Sequence, residues 1–213
     1  MKKAIFLIAT IAATSTLFAQ KFELGLNGGA DYFRQLNTFP GMEEYHNTTV
    51  KMDGGIRPVV SVNAIYNVKH WQIGITGSCL NLKFKDSYFV PFGIFGYYLN
   101  VNATETLAPV QLRLQRKFTF GKIEAYGGIS GGYMLKLASN DPKPDSISGS
   151  ISHMYGMTAG AQLGATYYVT RKLGVNLEAA GNYTGVTLNV NKAYQTNTGL
   201  FSFPVTVGIH YKL

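Results

Sequence analysis

With 213 residues, one cysteine and a formal charge of +8 at pH 7, the chain has room for one domain and no intramolecular disulfide. Its basic residues are scattered, gathering only at Lys69, Arg116, Lys117, Arg171 and Lys172, so no continuous basic face for nucleic acid forms. After the N-terminus no apolar run approaches the ~20 residues of a spanning helix, which excludes a helical membrane protein.

The front end reads as an export signal. Lys2 and Lys3 precede an apolar segment from Ala4 to Ala13, and small residues follow up to Gln20. This pattern predicts a signal peptide over residues 1–19 and a single β-barrel domain over 20–213.

From there the chain alternates with the period of a strand, in which successive side chains face opposite ways. A first strand is expected from Lys21 to Phe33, with Phe22, Leu24, Leu26, Ala30 and Tyr32 on one face and Glu23, Asn27 and Asp31 on the other. A polar connection over 34–49 carries Pro40-Gly41 and Glu43-Glu44. The second strand, Gly54 to Asn67, sets Ile56, Val60, Val62 and Tyr66 against Arg57, Ser61 and Asn63, and Val68-Lys69 reads as a tight turn.

The third strand runs from Trp71 to Lys85. Trp71, Ile73, Ile75 and Cys79 face outward, and the apolar row then passes to Leu80, Leu82 and Phe84, which reads as a β-bulge. The aromatic stretch Tyr88 to Tyr98 is read as a loop. Its residues Tyr88, Phe89, Phe92, Ile94, Phe95 and Tyr97 either contact a partner or lipid, or fold over the barrel rim.

A fourth strand, Leu99 to Gln115, places Val110, Leu112 and Leu114 against Gln111, Arg113 and Gln115, with a ladder break at Pro109. After a turn over 118–121, the fifth strand sets Ile123, Ile129, Tyr133 and Leu135 against Glu124, Tyr126, Ser130 and Lys136. A polar loop over 138–152 leads to a hairpin from Tyr155 to Tyr183, turning at Thr170-Arg171-Lys172. A last loop over 190–198 precedes the eighth strand, where Phe201, Phe203, Val205, Val207, Ile209 and Tyr211 face away from Ser202, Thr206, His210 and Lys212.

Short and long connections alternate, and both chain ends fall on the short-turn side. That is the layout of an all-β, eight-stranded antiparallel up-and-down transmembrane barrel, with tight periplasmic turns and long external loops. Closure leaves no strand edge in lipid.

The segment Leu107-Ala108-Pro109-Val110-Gln111-Leu112-Arg113-Leu114, followed by Ile123-Glu124-Ala125-Tyr126-Gly127-Gly128, resembles the PorT-like outer-membrane β-barrel family of Bacteroidota. Phe18-Ala19-Gln20 is similar to signal-peptide endings of that group. The resemblance implies a bacterial outer-membrane location and, for some members, a part in protein secretion. The chain departs from the usual assembly signal by ending in Leu213, not an aromatic.

Catalytic motifs are absent. Ser150, Ser152 and His153 stand together where a lipid hydrolase could pair a hydroxyl with an imidazole, but adjacent Ser152 and His153 face opposite ways in a strand. His46 and His70 fall in connections, and no metal-ligand spacing or phosphate-binding fingerprint occurs. No catalytic, cofactor or metal residue is therefore expected.

Eight strands enclose a lumen that side chains fill. The inward charges Glu23, Arg113, Glu124, Glu178, His210 and Lys212 are expected to form an ion-pair cluster near the short turns, with Arg113 directly across from Glu124. The expected function is that of a monomeric, non-enzymatic outer-membrane barrel with a plugged lumen. Its long loops would meet lipopolysaccharide, outer-membrane lipid or a protein partner. Two other classes are an outer-membrane lipid-modifying enzyme and a soluble lipocalin-like carrier, the latter with its apolar face inside.

Overall fold

The alternation becomes a set of long antiparallel strands. In this computed structural model, residues 21–36, 51–52, 54–92, 95–139, 151–190 and 194–213 are described. The expected signal peptide and the connections over 37–50 and 140–150 lie outside them. The strands are β1 (Phe22–Leu36), β2 (Lys51–Met52), β3 (Gly55–Val68), β4 (Trp71–Phe92), β5 (Phe95–Phe120), β6 (Ile123–Ser139), β7 (Ile151–Tyr168), β8 (Leu173–Val190) and β9 (Tyr194–Lys212). β1 pairs with both β3 and β9, and β4 with β5, so the sheet closes on itself. β2 adds two residues against Phe84 and Lys85 of β4, leaving eight strands as the wall.

The exterior is apolar. Leu26, Val62, Ile75, Leu112, Ile129, Leu163, Leu177 and Val207 are all exposed outward. Two aromatic rows bound this band. Phe22, Trp71, Phe118, Phe120, Tyr167 and Tyr211 stand near the short turns, and Tyr32, Tyr133, Tyr155, Tyr183, Phe201 and Phe203 stand toward the other end. The rows lie roughly ten residues apart along a strand, which matches the ~9–11 tilted residues that cross a bilayer. A soluble carrier with its apolar face inside does not fit this exterior.

Two of the three short turns sit one to three residues later than the sequence suggested. Lys69-His70 and Gly121-Lys122 join Val68 to Trp71 and Phe120 to Ile123. Lys69 (φ 52°) and Gly121 (φ 60°) take the left-handed conformation that such tight turns need. Phe118 and Phe120 thus belong to the aromatic row of β5, not to a turn. In the third turn the Thr170 hydroxyl accepts the backbone N–H groups of Lys172 and Leu173, at 3.2 and 2.9 Å.

Two expectations on β4 are corrected. No bulge occurs at Leu80: the alternation runs on unchanged, Cys79 stays exposed, and Leu80 (5% exposed) and Leu82 (1%) point into the lumen. An apolar row has no preferred direction of its own, and here the lumen itself becomes apolar at that height. The register shifts fall elsewhere, between Thr106 and Leu107 against β6 and between Ile151 and His153 against β8. The stretch Tyr88 to Tyr98 is not a loop either. β4 and β5 remain paired up to Phe92↔Phe95, as their aromatic and β-branched content favours. Elsewhere the ladder is interrupted beside prolines, which lack the donor: β4–β5 skips Ala108-Pro109, and β8–β9 skips Phe203-Pro204.

If the apolar band lies in hydrocarbon, a charge at its middle is far worse than one at its edge. Val207→Arg, midway between Tyr211 and Phe203, should destabilise the barrel by ~2–4 kcal/mol, and Leu213→Arg by about 1 or less. Denaturant titration of protein folded in lipid vesicles measures both. Equal effects at the two positions would contradict this placement.

Candidate functional site

The lumen is layered. At the short-turn end Glu124 receives two lysines, Lys212 at 2.6 Å and Lys117 at 3.4 Å. Lys117 also donates to Asn67, which accepts from Gln72 as well, both at 3.0 Å. The ammonium of Lys212 lies 3.6 Å from the ring centre of Tyr168, and this cation–π contact joins the first layer to the next. There the Tyr168 hydroxyl donates to Glu23 at 2.9 Å, and His210 Nδ1 stands 2.6 Å from the other carboxylate oxygen.

A third group is more enclosed. Arg113 grips Glu178 with two parallel N–H···O bonds of 2.8 and 2.7 Å, and both side chains are 7% exposed. Such a fork is the strongest way to pair these groups. The Tyr126 hydroxyl donates to Glu178 at 2.8 Å and accepts from Asn176 at 2.9 Å, and Asn176 donates further to Thr166.

All six inward charges singled out in the sequence therefore stand in this lower lumen, but the expected pair of Arg113 with Glu124 does not form: Arg113 meets Glu178, and Glu124 meets Lys117 and Lys212. Arg113 faces Ser130 in the register, and Glu124 faces Thr119. The turn at Gly121-Lys122 displaces the hairpin register, so Arg113 reaches across the lumen to Glu178 of β8. Tyr126, Tyr168, Lys117 and Asn176 were not anticipated as members. For the two tyrosines the signal was a glycine on the neighbouring strand: Tyr126 lies opposite Gly164 and Tyr168 opposite Gly174. A Cβ at Gly164 would come within 2.5 Å of the Tyr126 hydroxyl, and one at Gly25 within 2.5 Å of His210 Nε2.

Above this floor the lumen changes character. Phe33, Val59, Leu80, Leu82, Leu107, Met134, Met154, Val186 and Leu200 are all buried and form an apolar layer. A cavity of about 50 Å³ lies between the two regions. Beyond the apolar layer Lys136 pairs with Glu105 at 2.9 Å, and Gln35 donates to Thr198 at 3.1 Å.

Of the proposed contact residues, Tyr88, Phe89 and Phe92 lie in β4, and Phe95 and Tyr97 in β5. Ile94 is outside the described residues. His153 pairs with Asn189 beside a register shift, and Ser150 is outside the described residues.

No family model matches the chain, and no curated protein does. Solved structures do match it. The outer membrane protein OprG from Pseudomonas aeruginosa aligns with a TM-score of 0.56 at 15% identity, over 91% of this chain and 97% of that one. Neisserial surface protein A aligns with a TM-score of 0.55 at 12% identity, over 90% and 97%. The shared feature is the fold, a closed eight-stranded antiparallel outer-membrane β-barrel.

Removing one member of the buried fork leaves a charge uncompensated. Arg113→Ala should cost ~3–5 kcal/mol of stability. Adding Glu178→Gln should recover part of the loss, whereas adding Glu124→Gln should recover none. Unfolding of the single and double variants measures this, and rescue by Glu124→Gln would refute the observed pairing. Room for the phenol is separately testable. Gly164→Ala should destabilise by ~1–3 kcal/mol through overpacking. Gly28→Ala, whose Cβ would meet nothing within 4 Å, should stay within about 0.5 kcal/mol.

Proposed function

We propose that this protein acts without catalysis, meeting a partner or surface through its β4–β5 hairpin, which is carried on an outer-membrane barrel with a plugged lumen. The length of the hairpin carries the reading. β4 begins at Trp71 in the lower aromatic row and runs 22 residues, and β5 returns over 26. The ~9–11 residues needed for the bilayer leave at least roughly ten in β4 and more in β5. At ~3.3 Å per residue these extend about 30 Å past the outer aromatic row. The tip sequence from Tyr88 to Tyr98 is almost wholly aromatic and apolar, a composition that marks interaction surfaces when it stands clear of a fold.

Lipopolysaccharide and protein are the two partner classes suited to such a tip. Neisserial surface protein A is by its name a surface protein, and the same placement is proposed here. Membership of the PorT-like family of Bacteroidota, and a place beside a secretion machine, belong to this reading. They rest on the Leu107–Leu114 and Ile123–Gly128 segments. The plug is supported by the ion-paired floor together with the apolar layer above it, because an apolar constriction resists wetting and hence ion passage.

Two measurements test the reading. Replacing Phe92, Ile94 and Phe95 with Ser should abolish cross-links to neighbours on intact cells while the barrel remains folded. An unchanged cross-linking pattern would favour packing over the rim. Pure protein in a planar bilayer should give no steady ion conductance, and a large stable channel would refute the plug.

A further inference from the structure

The outside of the barrel carries charge of one sign at its short-turn end. Lys21, Lys69, Arg116, Lys122, Arg171 and Lys172 are exposed there, just before β1, in the three turns and on β5. Among the described residues no acidic side chain is exposed at this end. Glu23, Glu124 and Glu178 all turn into the lumen, where they are buried and bonded to groups of the floor.

Two of the outer cations are held at a particular depth. Arg116 belongs to the outward row of β5, between the exposed Leu114 and Phe118. Its guanidinium lies 6.0 Å from the ring centre of Trp71, its register partner on β4, and 5.6 Å from that of Phe118. The ammonium of Lys172 lies 5.7 Å from the ring centre of Tyr211. The β4–β5 pair and the β8–β9 pair are opposite each other around the closed wall. Trp71, Phe118 and Tyr211 all stand in the lower aromatic row, and such rows mark the headgroup level of the membrane. An arginine stacks on a ring through its face and forks onto a phosphate through its edge, so the two contacts are compatible. The short turns of an outer-membrane barrel face the periplasm, which sets this ring of cations against the inner leaflet. A periplasmic partner touching only the turn tips would leave the outward-facing, ring-held Arg116 unused.

We propose that the short-turn rim binds anionic phospholipid of the inner leaflet. Arg116 and Lys172 contact headgroup phosphates on opposite sides of the barrel, and Lys69, Lys122 and Arg171 supply the surrounding positive field. This surface stands at the far end of the wall from the β4–β5 tip and is independent of the partner proposed for it.

The full chain is folded into phosphatidylcholine vesicles carrying a trace of spin-labelled phosphatidylglycerol or spin-labelled phosphatidylcholine. Electron paramagnetic resonance then reads the fraction of each lipid immobilised at the protein surface. Phosphatidylglycerol should be immobilised in excess, and the excess should shrink at about 1 M salt, where the Debye length falls to about 3 Å. Arg116→Gln combined with Lys172→Gln should remove most of it, since each basic residue near an anionic surface is worth about fivefold in association. Arg34→Gln combined with Lys83→Gln, exposed toward the other end, should leave it unchanged. Phosphatidylglycerol with a photoactivatable headgroup should cross-link to the unsubstituted protein around Trp71, Arg116 and Lys172, a readout that stands even if the first double variant does not fold. Equal immobilisation of the two lipids would overturn the proposal. So would an excess that survives the loss of Arg116 and Lys172, or cross-links confined to the opposite end of the barrel.

Discussion

The ladder between β1 and β9 is the constraint on which the rest depends. In hydrocarbon no water satisfies a backbone N–H or C=O, so a spanning sheet must have no edge. The pairing from Glu23↔Lys212 to Leu36↔Gly199 closes the wall along the whole of β1. Once closed, every strand has one face to lipid and one to the lumen, and a slip of one residue would exchange them. The closing strand also supplies the floor: His210 and Lys212 reach Glu23 on β1 and Glu124 on β6.

Closure creates a narrow interior that must hold long polar side chains at native packing density. The chain meets this by setting glycines beside them. His210 lies across Gly25, and Tyr126 across Gly164, at positions where a Cβ would collide. The carboxylates Glu23, Glu124 and Glu178 each meet a basic side chain, and two of them also meet a phenol. Little water separates these groups, so each depends strongly on its partner. The floor is therefore held by charge and hydrogen bonding, and the layer above it by apolar packing around Leu82, Leu107 and Val186.

Past the outer aromatic row lipid no longer dictates the outward face, yet β4 and β5 stay paired to Phe92 and Phe95. Strand propensity and the cross-strand ladder sustain them there. The wall is less regular at the height of Ser78, Pro109 and Pro204, where pairings are skipped, and these same residues border the cavity that holds Asp31.

By itself the sequence determined the barrel. Period-two alternation marked eight strands and the inward set Glu23, Arg113, Glu124, Glu178, His210 and Lys212, because the face of a side chain is a local property of its strand. The short turns were legible to within a few residues, from their charged and glycine-containing breaks. Only the tertiary structure decided which groups meet. Arg113 and Glu178 are 65 residues apart in the chain and touch across the lumen, a contact that depends on closure and on the register of several ladders at once. The direction of Leu80 and Leu82 and the continuation of β4 and β5 were equally undetermined. An apolar row packs as readily against an apolar lumen as against lipid, and which of the two it faces is settled only when the wall is closed.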